Sequence, residues 1–222
     1  MHRMTVYDLA QHLPPIDQLR ARCIALAALD VLLSPDRDDR YHDHDPAWSP
    51  GTEVSVKRNG GGDEYSIAFT PAGAFVRGFD HESPMSPYAT DDGQPWPGVL
   101  DRVPAVFQPC VDEPAFADEG VPSVTVCLWR EHTDDRWHHG EIDFPGDGDD
   151  GADWLFSPLA DGTPEAFQEF AQDYYETSVD LAAVRHVYAL RPLTDEVVGK
   201  LNSEATLSGV IEEVLRTGYP AR

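Results

Sequence analysis

Between Glu53 and Phe79 the chain alternates apolar and polar residues three times over, and each run ends in a turn. Val54 and Val56 alternate with Glu53, Ser55 and Lys57, and Asn59-Gly60-Gly61-Gly62 follows. Tyr65, Ile67 and Phe69 resume the alternation, Thr70-Pro71-Ala72-Gly73 turns again, and Ala74–Phe79 makes a third run. A period of two sends successive side chains to opposite faces, and Gly and Pro supply the backbone angles of tight turns. The stretch therefore predicts an antiparallel meander, whose apolar face other elements must cover.

Helical patterns stand on both sides of it. Residues 4–13 predict a short helix closed by Pro14 and Pro15. Asp17 is placed to cap a second helix, running to about Leu33 and stopped by Pro35. Its apolar residues (Leu19, Cys23, Ile24, Leu26, Ala27, Ala28, Val31) cover too much of the circumference for a surface helix. Toward the other end, Thr163-Pro164 is a cap followed by proline at the first helical position. Further helices are expected over about 181–190, 195–201 and 204–216, the last stopped by Gly218 and Pro220.

Residues 36–50 read as a loop, and 80–122 as an irregular, proline-rich connection with short helical turns near 99–103 and 104–107. Connections of that length usually carry function or cover a core. Val121–Trp129 is strongly β, with a partner strand expected in Trp137–Phe144. Helices, then strands, then helices give an α+β fold: an antiparallel sheet of about five strands with N- and C-terminal helices packed on it. A single domain over 1–222 is expected, with a sub-boundary near 146–153, although Trp154, Leu155 and Phe156 then call for burial.

The charge restricts the partners. Forty acidic residues stand against 16 Lys and Arg, a formal net of −24. Phosphate backbones and anionic membranes both require a basic surface, so nucleic acid and membrane are not expected as partners. A basic protein is the partner that such a field attracts. An acidic proteome would produce the same surplus without a specific role. Cys23, Cys110 and Cys127 are odd in number and lack C-x-x-C spacing, as expected of reduced thiols. The first 15 residues hold no continuous apolar stretch, and the run from Cys23 to Leu33 is broken by Asp30. A cytoplasmic protein is the expectation.

Four segments bear side chains of chemical interest. Gly78-Phe79-Asp80-His81-Glu82-Ser83 follows the third meander strand directly and offers acid, base and hydroxyl. Neighbouring residues point different ways, however. Asp80 and Ser83 also suit turn chemistry, and Glu82 can pair with Arg77 or Arg102. In Arg136–Asp143 a strand would put Trp137, His139, Glu141 and Asp143 on one face, where His139 and Glu141 have metal-ligand spacing. Tyr41–Pro46 carries His42 and His44 among aspartates and reads as a solvated loop. Gly146–Asp153 resembles a calcium loop, but counting from Asp147 the position of the bidentate acid is Pro158, and a mobile acidic turn is expected. The chain has no phosphate-binding loop, nucleophile elbow, H-E-x-x-H or C-x-x-C.

The segments "AFVRGFDHESPMSPY" and "LTDEVVGKLN … TGYP" resemble segments of a set of uncharacterised bacterial proteins of similar size, a likeness that brings no activity with it. Size and charge are similar, more loosely, to those of acidic immunity proteins that neutralise a toxin domain. These readings lean toward an acidic binding protein, immunity-like and with no cofactor, that docks a basic partner protein, and away from an enzyme without settling the point. Asp80, His81, Glu82, Trp48, Trp96 and Trp137 are the candidate contact residues. The alternative is a metal-dependent hydrolase that gathers His81, Glu82, His139 and Glu141 around an ion-bound water.

Overall fold

The computed structural model describes residues 3–146 and 148–221. The fold is α+β, with an antiparallel sheet and helices at both ends of the chain. Helices α1 (Val6–His12) and α2 (Ile16–Leu33) precede strands β1 (His42–Ser49), β2 (Thr52–Arg58), β3 (Glu64–Thr70) and β4 (Gly73–Phe79). Next come α3 (Gln108–Val111), β5 (Ala117–Asp118), β6 (Val121–Pro122), β7 (Val126–Glu131) and β8 (His138–His139). The chain closes with α4 (Ala152–Leu155), α5 (Pro164–Tyr174), α6 (Leu181–Tyr188), α7 (Asp195–Leu201) and α8 (Leu207–Arg216). The main sheet has six strands, ordered β1-β2-β3-β4-β7-β8, and β5 pairs with β6. Two compact units arise, Met1–Ile16 with Val56–Phe156, and Asp17–Ser55 with Ser157–Arg222.

In the first unit β4 is the central strand. It sets Ile67 opposite Val76 on the β3 side and Phe75 opposite Trp129 on the β7 side. Alternation alone would leave one of its faces wet, yet every residue of β4 is buried. The proline-rich connection supplies the cover: Met85, Val99, Phe107 and Phe116 are all buried, and Phe107 packs on Phe75 with ring centres 6.2 Å apart. Arg77, on the same strand face as Phe75, is buried beneath it. Its guanidinium donates to the carbonyls of Phe116 and Ser123 and to Glu64, and stacks 5.0 Å from the Phe116 ring. A buried charge is tolerable only when paired and hydrogen-bonded in this way.

The partner strand expected over 137–144 stops after two residues, at β8. Backbone meets backbone here: a Cβ on Gly140 would lie 1.7 Å from the Gly98 carbonyl oxygen. That crossing ends the alternation, so the shared face expected for Trp137, His139, Glu141 and Asp143 does not form. Trp137 is buried, with its indole N–H on the Pro14 carbonyl at 2.8 Å.

The acidic stretch after β8 is folded in. Asp147, the residue from which the calcium-loop spacing was counted, lies outside the described residues. Asp150 is buried and accepts the backbone N–H groups of Val6 (2.8 Å) and Ala152 (3.0 Å), which start α1 and α4. Burial pushes its carboxyl up to about 6. These bonds replace the mobile acidic turn with an anchor.

In the second unit α2 is buried almost continuously from Cys23 to Leu32, as its apolar circumference predicts. It begins one residue before Asp17, directly after Pro15. Of the tract 41–46, expected as a solvated loop, all but Tyr41 forms the start of β1. Its histidines turn inward, and Asp45 turns out. The cause is Asp30, whose Oδ2 accepts the N–H groups of Tyr41 (3.0 Å) and His42 (2.6 Å) and lies 3.1 Å from His42 Nδ1. His44 meets Ser55 Oγ through Nδ1 and lies 3.2 Å from Glu53 through Nε2, while Glu53 takes a two-pronged bond from Arg20 of α2. Burial holds the His44 pKa below its ordinary value although Glu53 pulls it upward. The helices α5, α6 and α7 start where Thr163, Asp180 and Thr194 cap them. Among the described residues no helix is long and apolar enough to cross a membrane.

Candidate functional site

The segment that follows β4 is a run of turns with two kinds of side chain, those bonded inward and those left outside. Asp80 is buried. Its backbone N–H reaches Thr125 Oγ1 at 3.2 Å, its Oδ1 accepts the Glu82 N–H at 3.0 Å, and its Oδ2 accepts the Trp154 indole N–H at 3.1 Å. Ser83, also buried, donates to the Asp149 carbonyl at 2.6 Å and accepts the Met85 N–H at 3.0 Å. Turn bonds then step along the chain, Ser83 N–H to Asp80 O, Ser86 N–H to Ser83 O and Ala89 N–H to Ser86 O. The local acids and hydroxyls satisfy backbone groups that a proline-rich segment leaves without regular partners. Gly151 permits the closest approach. A Cβ there would lie 2.5 Å from the Asp80 Cβ, on a backbone at φ +82° that already favours glycine.

Asp63, in the turn between β2 and β3, completes the cluster. Its Oδ1 accepts the His81 backbone N–H at 2.9 Å and faces His81 Nδ1 at 2.6 Å, while its Oδ2 accepts from Asn59 Nδ2 at 2.7 Å. Burial raises the Asp63 pKa, but the bonds from His81 and Asn59 outweigh it and the net shift is downward. The hydrogen bond to Asp63 raises the His81 pKa. The Asp63 bond places a proton on His81 Nδ1. Eighteen residues separate the two, and no short motif joins them, so sequence spacing offers no signal for this pair.

Lys57 of β2 is buried beside the cluster. Its ammonium donates to the carbonyls of Leu155 (2.7 Å) and Trp154 (3.2 Å) and lies 4.9 Å from the Trp154 ring centre. Burial drops its pKa to about 7, with Asp63 pulling the other way. Trp154, expected to be buried, is 38% exposed, and its indole covers buried Asp80 and Lys57 from the solvent side.

As a metal centre the cluster differs from the expected one. Among the described residues one group of three metal-capable side chains has ligand atoms within 4.8 Å of one another: Asp63, Asp80 and His81. Of His81, Glu82, His139 and Glu141, only His81 belongs to it. Glu141 is exposed and paired with Arg102 at 2.7 Å, and His139 Nδ1 bonds the Gly140 carbonyl at 2.9 Å. Glu82 is exposed, and the arginines expected to pair with it hold other carboxylates, Arg77 with Glu64 and Arg102 with Glu141. One imidazole and two carboxylates suit a divalent ion by donor type. Asp63 and Asp80 nonetheless accept hydrogen bonds from His81, Asn59, Glu82 and Trp154, and His81 turns Nδ1 to Asp63, which leaves Nε2 as its remaining ring nitrogen.

What faces solvent is acidic and aromatic. His81 is half-exposed, and Glu82, Asp91 and Asp92 are exposed. Tyr88, not among the contact residues expected from sequence, is 62% exposed, the most of any large apolar side chain described. Its ring packs edge-on against Phe79, with centres 5.6 Å apart, and its hydroxyl donates to exposed Asp118 at 2.7 Å. That bond, with the charges of Asp118 and Glu119, raises the phenol pKa. The tryptophans expected as contacts divide. Trp48 is 38% exposed, Trp96 is half-buried with its indole on the Asp143 carbonyl at 2.9 Å, and Trp137 is in the core. No family model, curated protein or solved structure matches the chain.

Proposed function

We propose that the chain is a non-catalytic acidic binding protein that docks a basic partner protein, with the turn platform after β4 as its contact surface and Tyr88 as the aromatic anchor. The observation that carries this reading is Tyr88: an aromatic ring held upright by Phe79 and Asp118, exposed, among acids that form no salt bridge with Lys or Arg among the described residues. A ring fixed before contact loses little conformational freedom on binding, which is what an anchor residue requires. Glu82, Asp91, Asp92, Asp118 and Glu119 are exposed on the same segment or beside Tyr88. Meanwhile Arg20, Arg40, Arg77, Arg102 and Arg185 already face carboxylates within the chain, so the surplus of acids over bases remains directed outward. Such a field steers cationic partners and gives the contact its salt dependence.

Further support comes from the side chains that catalysis would need. Asp80 and Ser83 are engaged in holding the platform, and the Ser83 hydroxyl is spent on the Asp149 carbonyl, so that among the described residues His81, though oriented by Asp63, has no hydroxyl or thiol nucleophile bonded to it. Immunity proteins resemble this chain in size and charge and act by such a contact. The thiols Cys23, Cys110 and Cys127 are free, which suits a reducing cytoplasm, and burial pushes the first two up to about 12 and about 11, away from reactivity.

The test is calorimetric titration with an arginine-rich polypeptide and a glutamate-rich one of equal length, over a salt series. The reading expects binding of the basic probe alone, weakening as salt rises. Equal binding of both, or of neither at low salt, overturns it.

A further inference from the structure

The strongest local departure from the acidic character of the chain is a cleft of about 750 Å³ in the first unit, near α1 and β8. Tyr7, Arg130, Arg136, Trp137, His138 and His139 line it. Two arginines and two histidines thus line one cleft in a chain that as a whole carries 40 acids against 16 Lys and Arg. Asp135 is the one acidic residue of the lining.

The two guanidinium groups are the cations of the cleft. Arg130 is fixed through Nε and Nη2, which donate to the Asp134 carbonyl at 3.3 and 3.1 Å, and this leaves its Nη1 for another acceptor. Arg136 is exposed, and among the described residues it makes no ion pair or hydrogen bond through its side chain. His139 spends Nδ1 on the Gly140 carbonyl, which leaves Nε2. His138 lies 3.4 Å from Asp134 through Nε2. The walls mix polar and apolar side chains, and several are held in place. Tyr7 accepts the Ile142 N–H at 2.9 Å and meets the His139 ring at 4.6 Å, Trp137 is tied to the Pro14 carbonyl, and Leu13 and Pro15 add hydrocarbon.

We infer that this cleft is a binding site for a small organic anion, with a carboxylate or phosphate head held by Arg136 and Arg130 and an apolar, ring-bearing body against Tyr7 and Trp137. The volume falls within the range of small-molecule pockets, and a lining in which basic side chains adjoin aromatic rings suits a ligand with one charged end and one apolar end. Guanidinium recognises both oxyanions through paired N–H donors. The inference is independent of the docking platform, which uses other residues.

Benzoate, phenyl phosphate and the neutral benzyl alcohol, titrated separately and followed by two-dimensional NMR and calorimetry, test it. Saturable binding of at least one anion, with shifts at Tyr7, His138 and His139 and at least about tenfold preference over benzyl alcohol, is expected. Which anion binds more tightly tells carboxylate from phosphate. Arg136→Gln, a surface change that leaves the fold intact by circular dichroism, should weaken the anion about tenfold and leave benzyl alcohol unchanged. No saturable shift with either anion, equal affinity for benzyl alcohol, or unaltered binding in R136Q overturns the inference.

Discussion

His81 Nδ1 lies 2.6 Å from Asp63 Oδ1, an oxygen that also accepts the His81 backbone N–H. One carboxylate oxygen thereby joins the turn between β2 and β3 to the platform after β4. The hydrogen bond raises the His81 pKa above its ordinary 6.5, and the His81 and Asn59 bonds hold the Asp63 pKa below 3.8 against the effect of burial. The sign follows for each group. The histidine contribution is complete below 6.5 and is lost as pH rises through the elevated His81 value. The aspartate contribution is present above 3.8 and is lost as pH falls through the depressed Asp63 value. An NMR titration should therefore give His81 a midpoint above 6.5, and Asp63→Asn should bring it back toward 6.5. A midpoint unchanged by that substitution contradicts the pairing.

Lys57 titrates at about 7 in the fold and at 10.5 in an unfolded chain. Between those values the unfolded state holds the extra proton, so stability rises with pH. One linked proton contributes a slope of about 1.4 kcal/mol per pH unit. Denaturant unfolding of the native chain and of Lys57→Met, compared from pH 7 to pH 9, should show that difference in slope. Parallel curves would mean that the ammonium stays fully charged in its place behind Trp154.

Arg77 has three acceptors and an aromatic neighbour while buried in β4. Arg77→Met strands the Glu64 side chain with exposed Arg58 alone and leaves two carbonyls without their donor. Loss of one partner from a buried pair costs about 3–5 kcal/mol, and urea unfolding should register a loss of that order. A loss below about 1 kcal/mol, the level of a surface pair, would show that the guanidinium is not taken out of water.

Hydrogen bonds from His81, Asn59, Glu82 and Trp154 already hold Asp63 and Asp80 in place, so metal is not expected to hold the platform together. Elemental analysis of dialysed protein should find well under one equivalent of transition metal, and chelator should leave the unfolding midpoint unmoved. One tightly held ion per chain, removed with loss of stability, would instead assign the cluster to a metal centre.

Some of this was legible residue by residue. The caps Thr163 and Thr194 and the alternation in β3 and β4 are local signals, and the structure follows them. Where a long-range partner decides, the sequence is silent. Asp30 reads as a break in an apolar helix until His42 arrives 12 residues later to bond it, and without that knowledge β1 looks like a loop. Trp137 reads as outward until the Pro14 carbonyl claims its indole. Asp80, His81 and Ser83 stand out as chemistry because active sites and well-bonded turns use the same side chains. Tyr88 lacked a pattern altogether, being one tyrosine after a proline, and only exposure distinguishes it.

The central claim is that one acidic, aromatic platform, and not the diffuse charge of the whole chain, makes the partner contact. Calorimetric binding of an arginine-rich polypeptide to the native chain, to Tyr88→Ala and to Glu204→Gln, a distant change in exposed charge, tests it most directly. The account predicts about tenfold weaker binding for Y88A, which alters no charge, and near-native binding for E204Q. Native affinity in Y88A, or equal losses in both variants, would contradict it.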